Sequence, residues 1–120
     1  MSYYEKASNM CDMIAQGKML DAFEKYYSKD VVMIESTGEV RKGKEVNRKF
    51  QSDFIGMMKE LHGSGVTAIT SDEKAGVTMV ESWMDLTFKD GNRVKMEEVA
   101  VQKWKGDQIV NERFYYNTSK

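Results

Sequence analysis

Proline is absent from these 120 residues, cysteine and histidine occur once each, and neither charge sign dominates: 18 Lys and Arg stand against 19 Asp and Glu. Without proline no rigid linker is marked, and no repeat or low-complexity stretch interrupts the chain. One domain over residues 1–120 is expected, long enough to bury roughly two-thirds of its unfolded surface. The lone Cys11 excludes an intrachain disulfide and fits a reducing cytoplasm. One Cys and one His cannot build a zinc site without carboxylates, and there is no helical His pair. A near-zero net charge offers no basic stripe to nucleic acid and no polybasic end to a membrane. No apolar run approaches membrane-spanning length, and Met1–Lys6 lacks the pattern of a signal peptide. No Gly-rich loop follows a strand to hold phosphates, and no Ser or Cys nucleophile has a base at recognisable spacing. The expectation is a cytoplasmic protein without metal or cofactor, bound to neither nucleic acid nor membrane.

What the chain does have is alternation. From Val77 to Tyr116 it reads as three antiparallel strands joined at Asp90-Gly91 and Gly106-Asp107, both strong two-residue turn signals. Turns of that length put Phe88 opposite Arg93, Trp83 opposite Glu98, Glu81 opposite Ala100, Ala100 opposite Arg113 and Glu98 opposite Tyr115. Period-two alternation then gathers Met79, Glu81, Trp83, Asp85, Met96, Glu98, Ala100, Gln102, Trp104, Asn111, Arg113 and Tyr115 on one face. Val80, Met84, Leu86, Phe88, Val99, Val101, Phe114 and Tyr116 share the other. Both faces hold large apolar groups, so both are expected to be covered. The first adds carboxylates, an arginine and amides, the composition of a cavity lining. The ten methionines suit adaptable core filling or a cavity that accepts imprecise shapes.

Upstream, Ser2-x-x-Glu5 is a capping box that opens a first helix with Tyr3, Ala7, Met10, Cys11 and Ile14 on its apolar stripe. Gly17 suits its left-handed end. A second helix carries Met19, Phe23, Tyr26 and Tyr27. Val31–Ile34 is a strand. The spacing of Val46, Phe50, Phe54, Met57 and Leu61 predicts a long helix ended by Gly63-Ser64-Gly65, and Val66–Thr70 a further strand. The class is α+β, helices laid on one side of a mostly antiparallel sheet.

Several phrases, in order, resemble the SnoaL-like families of the nuclear transport factor two-like superfamily. Phe23–Val32 looks like the family's "lyaddvv" segment and Arg41–Val46 like its "rGreai" lead into the third helix. Gly76–Trp83 resembles "GdrVavrW", and Lys105–Tyr115 the closing "edGkIvrerdy". The resemblance implies a cystatin-like cone, with N-terminal helices packed on a curved sheet around a conical pocket. Phe23, Tyr26, Phe50 and Phe54 would form its helical wall. It also implies a homodimer joined through the outer sheet face, and an internal pocket for an apolar or cyclic organic ligand. Relatives include polyketide cyclases, ketosteroid isomerases and dehydratases as well as proteins without known reaction, so catalysis does not follow from the fold. The acid/base Asp of cyclase-like relatives falls here on Ala100.

Three charged residues on the lining face carry the candidate chemistry. Glu98, held against Trp83 and Tyr115, would have a raised pKa and could replace the missing Asp as acid/base. Arg113 and Glu81 would reach each other over Ala100, either as a structural ion pair or as oxyanion support with a tuned partner. Gln102 and Asn111 would orient a ligand carbonyl or bond one another, and Trp83, Trp104, Tyr115, Met79 and Met96 would pack on a flat ligand. Asp85 reads as a solvated rim residue and His62 as a helix-end residue outside any catalysis. Two functions remain open: cofactor-free proton transfer of isomerase, cyclase or dehydratase type, and a non-catalytic ligand-binding or protein-interaction module.

Overall fold

The computed structural model describes residues 1–118. Helix α1 (Tyr3–Ala15) opens on the expected capping box: Ser2 Oγ accepts the Glu5 amide at 3.0 Å while the Ser2 amide donates to Glu5 Oε1 at 2.9 Å. The next two amides, of Tyr3 and Tyr4, donate to the Glu73 carboxylate at 2.8 and 3.0 Å. The helix ends in a Schellman motif, with Gly17 at φ 81°, Lys18 N–H donating to the Met13 carbonyl and Gly17 N–H to that of Ile14. Helix α2 (Met19–Tyr26) follows and runs straight into strand β1 (Tyr27–Ile34). Ala7, Met10, Phe23, Tyr26, Val31, Met33, Trp104 and Ile109 belong to the core that these two helices close against the sheet.

Strand β2 (Val40–Lys42) is short, and helix α3 (Lys44–Met57) is followed at once by the long strand β3 (Met58–Asp72). Strands β4 (Val77–Phe88), β5 (Arg93–Lys105) and β6 (Gln108–Tyr115) complete one six-stranded sheet in the order β2-β1-β6-β5-β4-β3. All neighbours are antiparallel except β1 and β6, which are parallel. The sheet is mixed and α+β as expected, with one strand, β2, beyond those the sequence suggested.

Three local expectations are corrected. Helix α3 stops at Met57, and Gly63-Ser64-Gly65 lies inside β3 rather than ending a helix. Gly63 and Gly65 are there because the Trp83 indole lies over them: a Cβ on Gly65 would stand 2.7 Å from Trp83 Nε1. His62 is accordingly a strand residue, its Nε2 2.7 Å from Thr87 Oγ1.

The β4–β5 connection is a three-residue loop, Lys89-Asp90-Gly91. Gly91 N–H donates to the Phe88 carbonyl, Phe88 N–H donates to the Asn92 carbonyl, and Gly91 takes φ 92°. This is the type I turn with a left-handed glycine, and it shifts the register by one from a two-residue turn. Trp83 therefore faces Glu97, Glu81 faces Val99, and Val80 faces Ala100.

The Gly106-Asp107 turn is where the sequence put it, with Lys105 opposite Gln108 and Trp104 opposite Ile109. One step further β6 bulges: Lys103 faces Asn111, leaving Val110 as the extra residue, and from there Gln102 faces Glu112 and Ala100 faces Phe114. The face under the helices thus carries Thr78, Val80, Ser82, Met84 and Leu86 from β4, Met96, Glu98, Ala100, Gln102 and Trp104 from β5, and Glu112 and Phe114 from β6. Thr78, Leu86, Gln102 and Glu112 are buried there.

Candidate functional site

The inner face is built round a buried polar chain. Trp104 Nε1 donates to Thr78 Oγ1 at 2.8 Å, and the Thr78 hydroxyl donates to Gln102 Oε1 at 2.7 Å. Gln102 Nε2 donates to Glu112 Oε2 at 2.8 Å, and the Tyr27 hydroxyl donates to Glu112 Oε1 at 2.5 Å. Four strands meet in this chain: Thr78 on β4, Gln102 and Trp104 on β5, Glu112 on β6 and Tyr27 on β1. Glu112 is only 2 % exposed, and burial pushes its carboxyl up to about 7 while the Tyr27 and Gln102 hydrogen bonds pull the other way. The Tyr27 hydroxyl, buried against that carboxylate, is driven well above its ordinary range.

Beyond the end of β1 lies a second group. The Arg41 guanidinium donates to Glu35 at 2.5 Å, to Glu39 at 2.6 Å and, through Nε, to Asn47 Oδ1 at 3.1 Å. It lies 3.6 Å from the Phe50 ring centroid. Asn47, wholly buried in α3, also binds the Arg41 and Gly43 carbonyls and so fixes the arginine from behind. Tyr116 donates its hydroxyl to the other Glu35 oxygen at 2.8 Å. Burial and that carboxylate push the Tyr116 hydroxyl up to about 12, so it stays protonated.

Glu98 lies on the inner face of β5, directly across from Ser82 on β4. Among the described residues no group donates a hydrogen bond to its carboxyl. Burial, with Glu112 and then Glu35 adding like charge, pushes Glu98 up to about 7. The expected direction is reproduced, but the neighbours differ from the expected Trp83 and Tyr115. Along β5 the burial fades from Gln102 to Glu98, and Met96 is 38 % exposed. Helix α3 packs on α2, β1, β2 and β3. Its Phe50 is 41 % exposed, while Phe54 meets Phe88 edge-on at 6.0 Å.

The shifted register divides the remaining expected site residues between two faces. Glu98, Gln102, Trp104 and Met96 are inside. Met79, Glu81, Trp83, Arg113 and Tyr115 are outside, in register positions opposite Val101, Val99, Glu97, Val101 and Val99 of β5. The expected Glu81–Arg113 pair over Ala100 does not form: Glu81 accepts from Thr67 Oγ1 at 2.6 Å, and Arg113 lies 5.2 Å from the Tyr115 ring. Gln102 faces Glu112 instead of Asn111, and Trp83 and Trp104 are on opposite sides of the sheet. Phe23 and Tyr26 are buried core residues, Phe23 stacked on Tyr27 at 4.8 Å. Asp85 is paired with Arg93 at 3.0 Å, which holds its carboxyl below the ordinary range.

Glu112, Tyr27, Thr78, Glu35, Arg41 and Tyr116 were missed as site residues. The signal for Glu112 was the adjacent apolar pair Ile109-Val110, which alternation cannot place on one face without a bulge. A shallow depression of about 290 Å³ on the β4–β5 ladder is lined by the outer-face residues Thr67, Glu81, Trp83, Glu97, Val99 and Tyr115 and also by Ser82 and Glu98. Among the described residues no cluster of three His, Cys, Asp or Glu is arranged to hold a metal, and no helix is long and apolar enough to cross a membrane.

Helices followed by a curved, six-stranded mixed sheet give a nuclear transport factor two-like fold. The SnoaL-like domain model matches residues 1–116, and the chain belongs to that family. It is similar to a Mesorhizobium loti protein described both as a SnoaL-like polyketide cyclase and as a carbohydrate phosphatase, at 30 % identity over 97 % of this chain and 100 % of that one, TM-score 0.85. The same fold recurs in a nuclear transport factor two-like protein of unknown function from Burkholderia pseudomallei (13 % identity, 98 % and 93 % coverage, TM-score 0.80). A Bacillus subtilis protein described as an isomerase shares it too (15 % identity, 98 % and 90 % coverage, TM-score 0.80). No curated protein sequence matches the chain.

Proposed function

We propose that the space between α3 and the inner face of β4 and β5 binds an apolar or cyclic small molecule, with Glu98 as the acid/base of a cofactor-free proton transfer. The observation that carries this is Glu98 itself. Among the described residues it is the inner-face carboxyl to which no group donates a hydrogen bond, and the half-exposed Met84 and Met96 form the next pair along the same face. A carboxyl pushed up to about 7 is present in both protonation states at neutral pH, as proton removal from one carbon and return to another require. Ser82, across from Glu98, offers a hydroxyl on the same face for a substrate oxygen. Arg113, on the outer face, takes no part in this reading. The reaction class is isomerisation, ring closure or elimination next to a carbonyl, in line with the cyclase and isomerase descriptions of similar proteins.

The test is hydrogen–deuterium exchange of cyclic enolisable ketones, cyclohex-2-enone and 2-tetralone, followed by proton NMR in heavy water. The wild type exchanges the α-protons faster than buffer, and Glu98→Gln loses that acceleration by about a hundredfold or more. Equal exchange with both proteins would remove the catalytic reading.

The outer face favours a second role, association with a second copy. Met79 and Tyr115 are exposed there with Trp83, and Arg113 has no carboxylate partner among the described residues while Glu97, opposite Trp83, is exposed. A two-fold pairing would cover the apolar centre and let Arg113 meet a carboxylate of the other copy. Light scattering should then give twice the chain mass, and Tyr115→Glu should halve it; a monomer at micromolar concentration contradicts the pairing.

A further inference from the structure

The chain from Trp104 to Glu112 has a direction. An indole N–H only donates, so Thr78 Oγ1 accepts from Trp104 and spends its own hydrogen on Gln102 Oε1. With its oxygen thus engaged, the Gln102 amide must present its NH₂ group to Glu112 Oε2. Tyr27 gives its hydrogen to the other oxygen. Both Glu112 oxygens therefore accept, and the chain is satisfied only while Glu112 is ionised. A proton on Oε1 would turn that oxygen into a donor and cost the Tyr27 hydroxyl its acceptor there.

We propose that Glu112 is a positioning residue whose fixed negative charge keeps the first proton of the site on Glu98. This rests on the reading of Glu98 as the acid/base. The two carboxyls face one interior, and the proton taken up there goes to the one that loses nothing by accepting it. Among the described residues Glu98 accepts no hydrogen bond, whereas Glu112 would break one. The other groups in that interior leave the assignment standing. Arg41, on β2, has its donors engaged by Glu35, Glu39 and Asn47. Glu35, at the end of β1, holds Arg41 and the Tyr116 hydroxyl. Cys11, on α1, is a thiol pushed up to about 11 and stays neutral. With a neutral group at 112, Glu98 would keep the effect of burial but lose the like charge of Glu112, and would hold its proton less tightly.

The experiment follows the side-chain carboxyl carbons of Glu98 and Glu112 by NMR from acid to alkaline pH, in the full chain without ligand. Glu98 is expected to move at the higher of two steps and Glu112 at the lower. In Glu112→Gln the Glu98 midpoint should fall by about one pH unit. Tyr27→Phe, which keeps the packing, answers the same question should the first variant fail to fold. Without the Tyr27 donor Glu112 takes the first proton, and Glu98 again titrates lower. Glu112 moving at the higher step in the wild type, or a Glu98 midpoint unmoved by both substitutions, overturns the proposal. The ketone exchange assay is independent: Glu98 can titrate as expected in a protein that turns over no ketone.

Discussion

Trp83 lies on Gly65 so closely that a single added carbon would strike it, with the indole Nε1, Cε2 and Cζ2 at 2.7, 3.1 and 3.3 Å from the place of a Cβ. The pair joins β3 to β4 on the outer face, and the glycine is there for close approach alone. Gly65→Ala should destabilise the protein by about 1–3 kcal/mol, because a rigid ring must shift off its strand. Gly56→Ala in α3 meets nothing within 4 Å and should be neutral or stabilising by up to about 1 kcal/mol. Urea unfolding of the two variants checks the contrast; equal effects would show that the indole has room to move.

Arg41 offers a harsher test. It is 7 % exposed, clamped between Glu35, Glu39 and Asn47 and stacked on Phe50. Arg41→Met keeps the packing on Phe50 but strands the Glu35 carboxylate, at a cost of about 3–5 kcal/mol. A surface ion pair such as Lys6–Asp107, whose aspartate is 91 % exposed, should by contrast be lost in Asp107→Ala with little change in stability.

Stability should fall as pH rises from about 5 to about 8. The Glu98–Glu112 pair binds protons more tightly in the fold than in the unfolded chain, near 4.5, and the first of them goes to Glu98, whose carboxyl is pushed up to about 7. The native state therefore holds more protons across that window, and its contribution is full below the unfolded value and lost as pH climbs through the folded one. Glu98→Gln cannot ionise, so it should flatten the slope and raise the unfolding midpoint most at the alkaline end. A wild type more stable at about pH 8 than at about pH 5.5 would contradict these assignments.

The fold was legible where local chemistry decides. The Ser2–Glu5 box, the Gly17 cap, the Gly106-Asp107 turn and the strand alternation each depend on neighbouring residues, and all appear in the structure. The expected SnoaL-like family membership also held, over residues 1–116. The site was read less well because it depends on register. Asp90-Gly91 suits a two-residue turn and a three-residue one alike, and the choice decides which face receives Glu81 and Trp83 or Val80 and Met84. The bulge at Val110 then moved Arg113 and Tyr115 outward and Glu112 inward. Glu98 kept its place on the inner face, and its raised proton affinity was anticipated for the right cause, burial, with the wrong neighbours. Helix α3 was overextended because Leu61 continues the apolar spacing, while the demand of Trp83 for two glycines in β3 is invisible until the sheet is assembled.

The central claim is that the inner face between α3, β4 and β5 is the ligand site. Methyl-labelled methionine NMR tests it most directly, because Met84 and Met96 lie inside and Met79 outside. Titrating the wild type with 2-tetralone should move the Met84 and Met96 methyl signals saturably and leave Met79 in place. Saturable movement of Met79 with Met84 and Met96 still would contradict the account and assign ligand binding to the outer face.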